Sequence, residues 1–87
     1  MLLKASEMVP GKLYQSAHHY GKRPLVNEEG ELVYSLVPGE IVCLLSKATM
    51  SDGACRTMLL TLSGIVGGCW NLHFSRNFAA ADTTGGY

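Results

Sequence analysis

Charged side chains are scarce in this chain. They make up 16% of its 87 residues, where about 25% is usual for a soluble domain. The seven basic and seven acidic residues cancel to a formal net charge of zero. Nucleic-acid-binding proteins carry basic surfaces because contacts with phosphates dominate their affinity. The composition therefore disfavours a nucleic-acid-binding function, and the only adjacent basic pair, Lys22-Arg23, is followed closely by acidic residues.

Long apolar runs are absent as well. No stretch approaches the ~20 apolar residues of a membrane-spanning helix, and residues 1–4 lack the apolar run that follows the charge in a secretory signal. The three cysteines, Cys43, Cys55 and Cys69, form an odd set without Cys-x-x-Cys spacing. Such a set does not suit a disulfide framework and favours free thiols in a reducing compartment. We therefore expect a cytoplasmic protein with no membrane association.

Helical periodicity is also missing, and strand signals occupy most of the chain. Residues 27–30, residues 51–53 and the pair Ser63-Gly64 have the composition of hairpin turns. The runs between these turns, such as residues 41–47 and 56–62, are apolar or β-branched, as in strands. The sequence therefore predicts an all-β fold, a small barrel of five to six antiparallel strands.

The chain is short enough for one domain, residues 1–87, which buries only about 60% of its unfolded surface. We expect the barrel over about residues 10–78, and a flexible tail over the small, polar and glycine-ended residues 79–87. Alternation along each strand assigns one side chain in two to the interior. The predicted core consists of Leu13, Leu32, Tyr34, Leu36, Ile41, Cys43, Leu45, Met58, Leu60, Leu62 and Val66.

One predicted strand, residues 41–47, is apolar on both faces. A small barrel has one interior, so the other face needs a cover, because bare apolar strands promote aggregation. The sequence places Val42, Leu44 and Leu59 on this outer face. We expect a homodimer or higher oligomer that covers it; in the monomeric alternative, the N-terminal segment or the C-terminal tail does so.

Two turn motifs are informative together. Residues 38–42 read Pro-Gly-Glu-Ile-Val, and residues 63–70 read Ser-Gly-Ile-Val-Gly-Gly-Cys-Trp. With the upstream aromatic strand that contains Lys12-Leu13-Tyr14, this order resembles the core of SH3-like barrels over about residues 12–78. The resemblance implies a barrel with a shallow groove lined by aromatic side chains. The residues that match groove positions are Tyr14, Tyr20, Pro38 and Trp70.

Phe74 joins Tyr14, Tyr20, Pro38 and Trp70 as a predicted ligand-binding residue. Flat rings suit extended peptides because they stack on a preformed polyproline helix at low entropic cost. The predicted strand from Arg56 lacks the tryptophan of peptide-binding SH3 domains, which argues against proline-rich ligands. In the alternative interpretation, the same aromatic side chains fill the ends of the barrel.

Histidine and cysteine side chains offer two other candidate sites. His18 or His19 with His73 and Cys69 contains enough donors for zinc, but adjacent strand histidines point to opposite faces. A nucleophilic pair of Cys69 or Cys43 with His73 or His19 would need a positioned base, an orienting group and a cleft. The cysteines are more simply packed core residues. We therefore expect no metal, no cofactor and no enzymatic activity.

Two functional classes remain. Small size, neutral charge and the candidate aromatic groove favour a non-enzymatic interaction module that binds a protein or peptide, either alone or as part of a larger assembly. The alternative is a nucleic-acid-associated small β-barrel, in which bases stack on an aromatic face. The cations for that alternative are Lys12, Lys22, Arg23, Lys47 and Arg56.

Overall fold

The structure of the protein, a computed structural model, describes residues 1–17 and 21–81. It is all-β, with eight antiparallel strands in one sheet and a 3₁₀ turn over Ala5–Glu7. The predicted all-β class is confirmed, with eight strands where five to six were expected. The strands are β1 (Leu2–Lys4), β2 (Leu13–Ser16), β3 (Arg23–Val26), β4 (Leu32–Leu36), β5 (Ile41–Thr49), β6 (Cys55–Thr61), β7 (Val66–Asn71) and β8 (Arg76–Ala80).

Three hairpin turns share one design. Each contains three residues between flanking hydrogen-bonded positions, and each ends in a glycine with φ between 82° and 90°: Gly30, Gly53 and Gly64. A residue with a Cβ is strained at such positive φ values, so glycine selects this turn. The β6–β7 turn therefore includes Leu62 together with Ser63-Gly64, and Leu62 is 76% exposed rather than part of the core.

The strand order in the sheet is β1-β8-β2-β5-β6-β7-β3-β4. β5, β6 and β7 form a meander of consecutive hairpins, and the β3–β4 hairpin joins β7 at the single paired position Val26–Gly68. β1 and β4 are the two edges, so the sheet is curved but not closed into a barrel. Ala79 and Ala80, expected in the tail, belong to β8, while residues 82–87 lie outside the described residues.

One face of the curved sheet, the inner face, encloses the core, and the 3₁₀ turn packs against it. None of the helical segments within residues 1–17 and 21–81 has the length and hydropathy to cross a membrane. The buried cluster consists of Ala5, Met8, Tyr14, Leu25, Leu36, Val42, Leu44, Cys55, Leu59, Cys69 and Phe78.

The predicted core is wrong about the faces of β5 and β6. Val42, Leu44 and Leu59 are fully buried, whereas Leu60 lies on the opposite, outer face and is half-buried. The interface predicted through Leu44 is therefore wrong as well, although self-association itself stays a prediction. Among the other predicted core residues, Leu36 is buried, Leu13, Tyr34, Ile41, Cys43 and Met58 are half-buried, and Leu32, Leu45 and Val66 are exposed.

Buried threonines explain why alternation pointed to the wrong face. Leu59 shares the inner face with Thr57 and Thr61, whose side chains are 0% and 3% exposed. Their hydroxyls are satisfied locally, since Thr57 Oγ1 donates to the Cys69 carbonyl and Thr61 Oγ1 accepts from the amide of Ile65. Burying a hydroxyl that has a hydrogen-bond partner costs little free energy. Threonine therefore does not mark the solvent-facing side of β6.

Candidate functional site

The outer face of the sheet carries a continuous row of uncharged side chains across four strands. Leu13 of β2 is opposite Cys43 of β5, Cys43 is opposite Leu60 of β6, and Leu60 is opposite Val66 of β7. Directly opposite residues in antiparallel strands point to the same side of the sheet. Val66 is 47% exposed and the other three are half-buried. We call these four residues the apolar row.

Two further rows extend the same face toward the far end of β6. The first passes from Met58 to Gly68 and Val26, and the second passes from Arg56 to Trp70. Trp70 is 52% exposed. Arg56 is the only charged residue among these paired positions, so the outer face offers a partner a largely uncharged surface with a cation at one end.

A cavity of about 290 Å³ opens on this face where β3 separates from β7. The two strands pair only at Val26–Gly68, and their main chains diverge beyond that point. Pro24 has no N–H to donate to a neighbouring strand, which is compatible with this separation. We call the cavity the notch; its walls are formed by Arg23, Pro24, Val26, Gly68, Cys69 and Trp70.

The guanidinium of Arg23 bridges the gap between β3 and β7. Its Nη2 donates to the Trp70 carbonyl and, at 2.9 Å, to Asn71 Oδ1, and its Nε donates to Cys69 Sγ. The amide nitrogen of Asn71 donates in turn to Thr57 Oγ1 at 3.2 Å. This network satisfies polar groups that the inner face buries, and it fixes the base of the notch.

Cys69 contributes a neutral thiol to the notch. Burial raises the pKa of the Cys69 thiol above its usual value, and the nearby Arg23 charge offsets this only in part. Within residues 1–17 and 21–81, its side-chain contacts are with Arg23, Thr57, Asn71 and the Trp70 carbonyl, and none of them is a histidine. A buried thiol without an adjacent base is a poor nucleophile.

Arg56 lies beside the notch, with its guanidinium carbon 5.8 Å from the centroid of the Trp70 ring. It also packs over Gly68, where an added Cβ would lie 3.1 Å from Arg56 Nε. That Nε is buried and has no hydrogen-bond partner. Within residues 1–17 and 21–81 the salt bridge is Arg76–Glu7, so neither Arg23 nor Arg56 is paired with a described carboxylate.

The predicted ligand-binding residues do not lie together. Tyr14 is 3% exposed in the core, where its hydroxyl accepts from the amide of Val9, as the alternative interpretation anticipated. Pro38 is exposed in the turn before β5, whereas Trp70 lies level with Ala48 near the other end of β5. Seven residues of strand put about 20 Å between them.

Phe74 and Tyr20 complete the set. Phe74 is 64% exposed in the β7–β8 turn and packs edge-to-face on His73, with ring centroids 5.3 Å apart. Tyr20 lies outside the described residues, as do His18 and His19 of the proposed zinc site. In the part of the chain that is described, no group of three or more potential metal ligands occurs. The binding roles of Trp70 and Phe74 stay predictions.

Sequence analysis missed the notch because its two walls come from distant segments. Arg23 and Pro24 begin β3 and face β7, but no local pattern in the sequence places them beside Gly68. The available signal was Gly67-Gly68, a pair that indicates close packing within a strand. An added Cβ on Gly67 would lie 2.6 Å from the Cβ of Leu25, so the glycine admits β3 against β7.

Comparison with protein-family models, with curated protein sequences and with solved structures gave no match to this chain. Function is therefore argued from the geometry of the outer face and the notch.

Proposed function

We propose that this protein is a non-enzymatic interaction module whose outer sheet face binds a protein or peptide. The observation that carries the proposal is the apolar row, which continues without charge from β2 to Val66 of β7, the strand that also carries Trp70. Contiguous exposed apolar surface marks interaction sites in small proteins. Tryptophan and arginine dominate the binding energy of many interfaces, and Trp70 and Arg56 stand together at one end of the face.

Several further features fit this proposal. A notch of about 290 Å³ is small for a complete organic substrate but sufficient for one partner side chain. Among the described residues, the neutral, buried thiol of Cys69 has no histidine partner, which supports a binding role over a catalytic one. The free thiols of Cys43, Cys55 and Cys69 suit a reducing compartment, and we propose a cytoplasmic location.

We also propose that the fold is related to SH3-like barrels. A curved antiparallel sheet around one core, with the β5–β6–β7 meander at its centre, supports this relation. On this reading β1 and β8 extend the barrel motif at one edge.

A nucleic-acid-associated role is the second candidate. It is favoured by one observation: Trp70 contacts both Arg23, through its carbonyl, and Arg56, through its ring. Aromatic rings flanked by cations bind single-stranded nucleic acids by stacking. Of the other cations named for this role, Lys47 is engaged elsewhere, since its Nζ donates to the Ser6 carbonyl. The peptide-binding proposal therefore has the broader support.

The proposed function is tested by selecting random peptides displayed on phage against the immobilised protein. Selected peptides should shift backbone amide resonances of β5, β6 and β7 in nuclear magnetic resonance spectra. Leu62→Asp and Val66→Asp should weaken their binding at least about tenfold, because Val66 belongs to the apolar row, Leu62 lies in the turn that joins Leu60 to Val66, and both side chains are exposed.

Val37→Asp is the matched control, because Val37 is 40% exposed in the turn before β5 and belongs to none of the paired rows of the outer face. Circular dichroism of each variant checks that the fold persists. Failure to select any peptide, or peptides that bind Leu62→Asp and Val37→Asp equally well, would contradict the proposed function.

A further inference from the structure

Both arginines at the notch have donors to spare. Arg23 uses Nε and Nη2, and its Nη1 has no hydrogen-bond partner among the described residues. Arg56 donates no hydrogen bond to any described residue, and its Nε is buried without a partner. The acceptors of Arg23 are all neutral, namely a thiol, a carbonyl and an amide oxygen. Two positive charges thus stand at one site in a protein with zero net charge.

An anion at this site would accept a hydrogen bond from the unpartnered Arg56 Nε and would offset the positive charges of the two arginines. A buried guanidinium N–H without an acceptor is destabilising, because its lost hydration is not replaced. Carboxylates are the acceptors whose geometry best matches a guanidinium, and the resulting hydrogen bonds are among the strongest in proteins. The local excess of positive charge also attracts an anion before contact is made.

We propose that the notch, with Arg23 and Arg56, binds the carboxylate of an aspartate or glutamate side chain in a partner segment that lies across the outer face. This proposal rests on the proposed function and specifies its partner: an extended segment that combines one acidic residue with apolar neighbours. The acidic side chain enters beside Trp70, and the apolar neighbours cover the apolar row.

Three features favour an internal acidic side chain over other anions. The apolar row lies next to the notch, because Val66 is two residues before Gly68 in β7, and it extends from there to β2. A bound segment therefore continues past the notch and does not terminate in it. The cavity volume, about 290 Å³, suits one side chain. A nucleic acid backbone would need cations along its path, and among the paired outer-face positions Arg56 is the only cation.

Gly68 keeps Arg56 in place for this role. An added Cβ at position 68 would lie 3.1 Å from Nε and 3.2 Å from Nη2 of Arg56, and equally close to the sulfur of Met58. Such contacts are tighter than side chains accept without moving. A side chain at position 68 would therefore displace the Arg56 guanidinium or the Met58 sulfur by a few tenths of an ångström, and glycine lets the guanidinium lie close against the β7 main chain.

The test uses two blocked peptides, acetyl-Val-Leu-Glu-Leu-Val-amide and the same peptide with Gln in place of Glu. Trp70 is the only tryptophan in the chain, so its fluorescence reports on the notch directly. The glutamate peptide should bind at least about tenfold more tightly than the glutamine peptide. Arg56→Gln should abolish this preference, while Lys12→Gln, which removes an exposed cation elsewhere, should keep it.

Arg56→Lys replaces Arg56→Gln if the latter does not fold, and it should reduce the preference because lysine lacks the planar fork. Equal binding of the two peptides overturns the carboxylate proposal but leaves the proposed function intact. Binding of neither peptide also overturns it, and the phage selection then decides the proposed function separately. Oligothymidylate that displaces the glutamate peptide with a steep salt dependence overturns it in favour of a nucleic acid phosphate.

Discussion

Leu59 and Leu60 are neighbours in β6 that lie on opposite faces of the sheet, and shortening each to alanine measures which face is the core. Leu59 is 0% exposed and packs in the buried cluster, whereas Leu60 is half-buried in the apolar row. The two variants remove the same atoms from adjacent positions of one strand. Each serves as the control for the other, since the effect on strand propensity is matched.

The expected costs differ by more than twofold. Leu59→Ala removes the side-chain atoms beyond Cβ, worth about 2.4 kcal/mol at ~0.8 kcal/mol per buried carbon. A residual cavity adds to this, so the free energy of unfolding should fall by about 3–5 kcal/mol. Leu60→Ala removes less buried surface than Leu59→Ala does, and water can fill the space, so no cavity cost is added. Its cost should be about 1 kcal/mol.

Urea unfolding followed by far-ultraviolet circular dichroism measures both costs. With a slope of about 1 kcal/mol per molar urea, the midpoint should fall by about 3 M or more for Leu59→Ala, and by about 1 M for Leu60→Ala. If the unfolding midpoint of the wild-type protein lies below about 3 M urea, Leu59→Ala should be unfolded even without urea. Equal costs, or a larger cost for Leu60→Ala, would refute the assignment of the inner face.

Three further predictions follow from single contacts. Gly67→Ala should lower stability by about 1–3 kcal/mol in thermal melts, because its Cβ would lie 2.6 Å from another Cβ; an unchanged melting temperature would contradict the close approach of β3 and β7. The pKa of Glu7 is held below its usual value, first by the hydrogen bond from the Lys4 amide and then by Arg76. The contribution of ionised Glu7 to the free energy of unfolding is present above the unfolded pKa and is lost as the pH falls through the folded pKa. Glu7→Gln should therefore reduce the loss of stability at acidic pH; the same loss in the variant and the wild type would count against this. Iodoacetamide should modify the half-buried Cys43 before Cys69, because the Cys69 thiol is buried and its pKa is raised. Mass spectrometry of the treated native protein measures the order, and modification of Cys69 first would show that the inner face is misassigned.

The hairpin turns could be predicted from the sequence because their cause is local. Gly30 and Gly53 each follow two polar residues, and Gly64 follows a leucine and a serine. The positive φ of each glycine requires nothing from the rest of the chain. The faces of β5 and β6 could not be predicted in the same way. Leu59 and Leu60 are chemically identical, so the choice between them depends on distant partners.

Among the residues that line the notch, only Trp70 was one of the predicted ligand-binding residues. Trp70 was identified as a binding residue from its own aromatic character, and it lies on the wall of the notch. Arg23 and Pro24 come from a segment more than forty positions earlier, and their approach to Cys69 depends on how β3 docks on β7. No local pattern connects these segments, so the sequence alone does not show that they are neighbours.

The strand order also implies an order of folding. β5, β6 and β7 are joined by short turns, so their pairing closes small loops at low entropic cost. β1 pairs with β8, where Leu2 is opposite Ala79, and this contact closes almost the whole described chain. The central meander should therefore be the folding nucleus, and docking of β1 and β8 should come late and set a slow overall rate. Before β8 docks, Phe78 does not yet cover the inner face of the meander. The partly folded chain should then be more prone to aggregation than the folded protein.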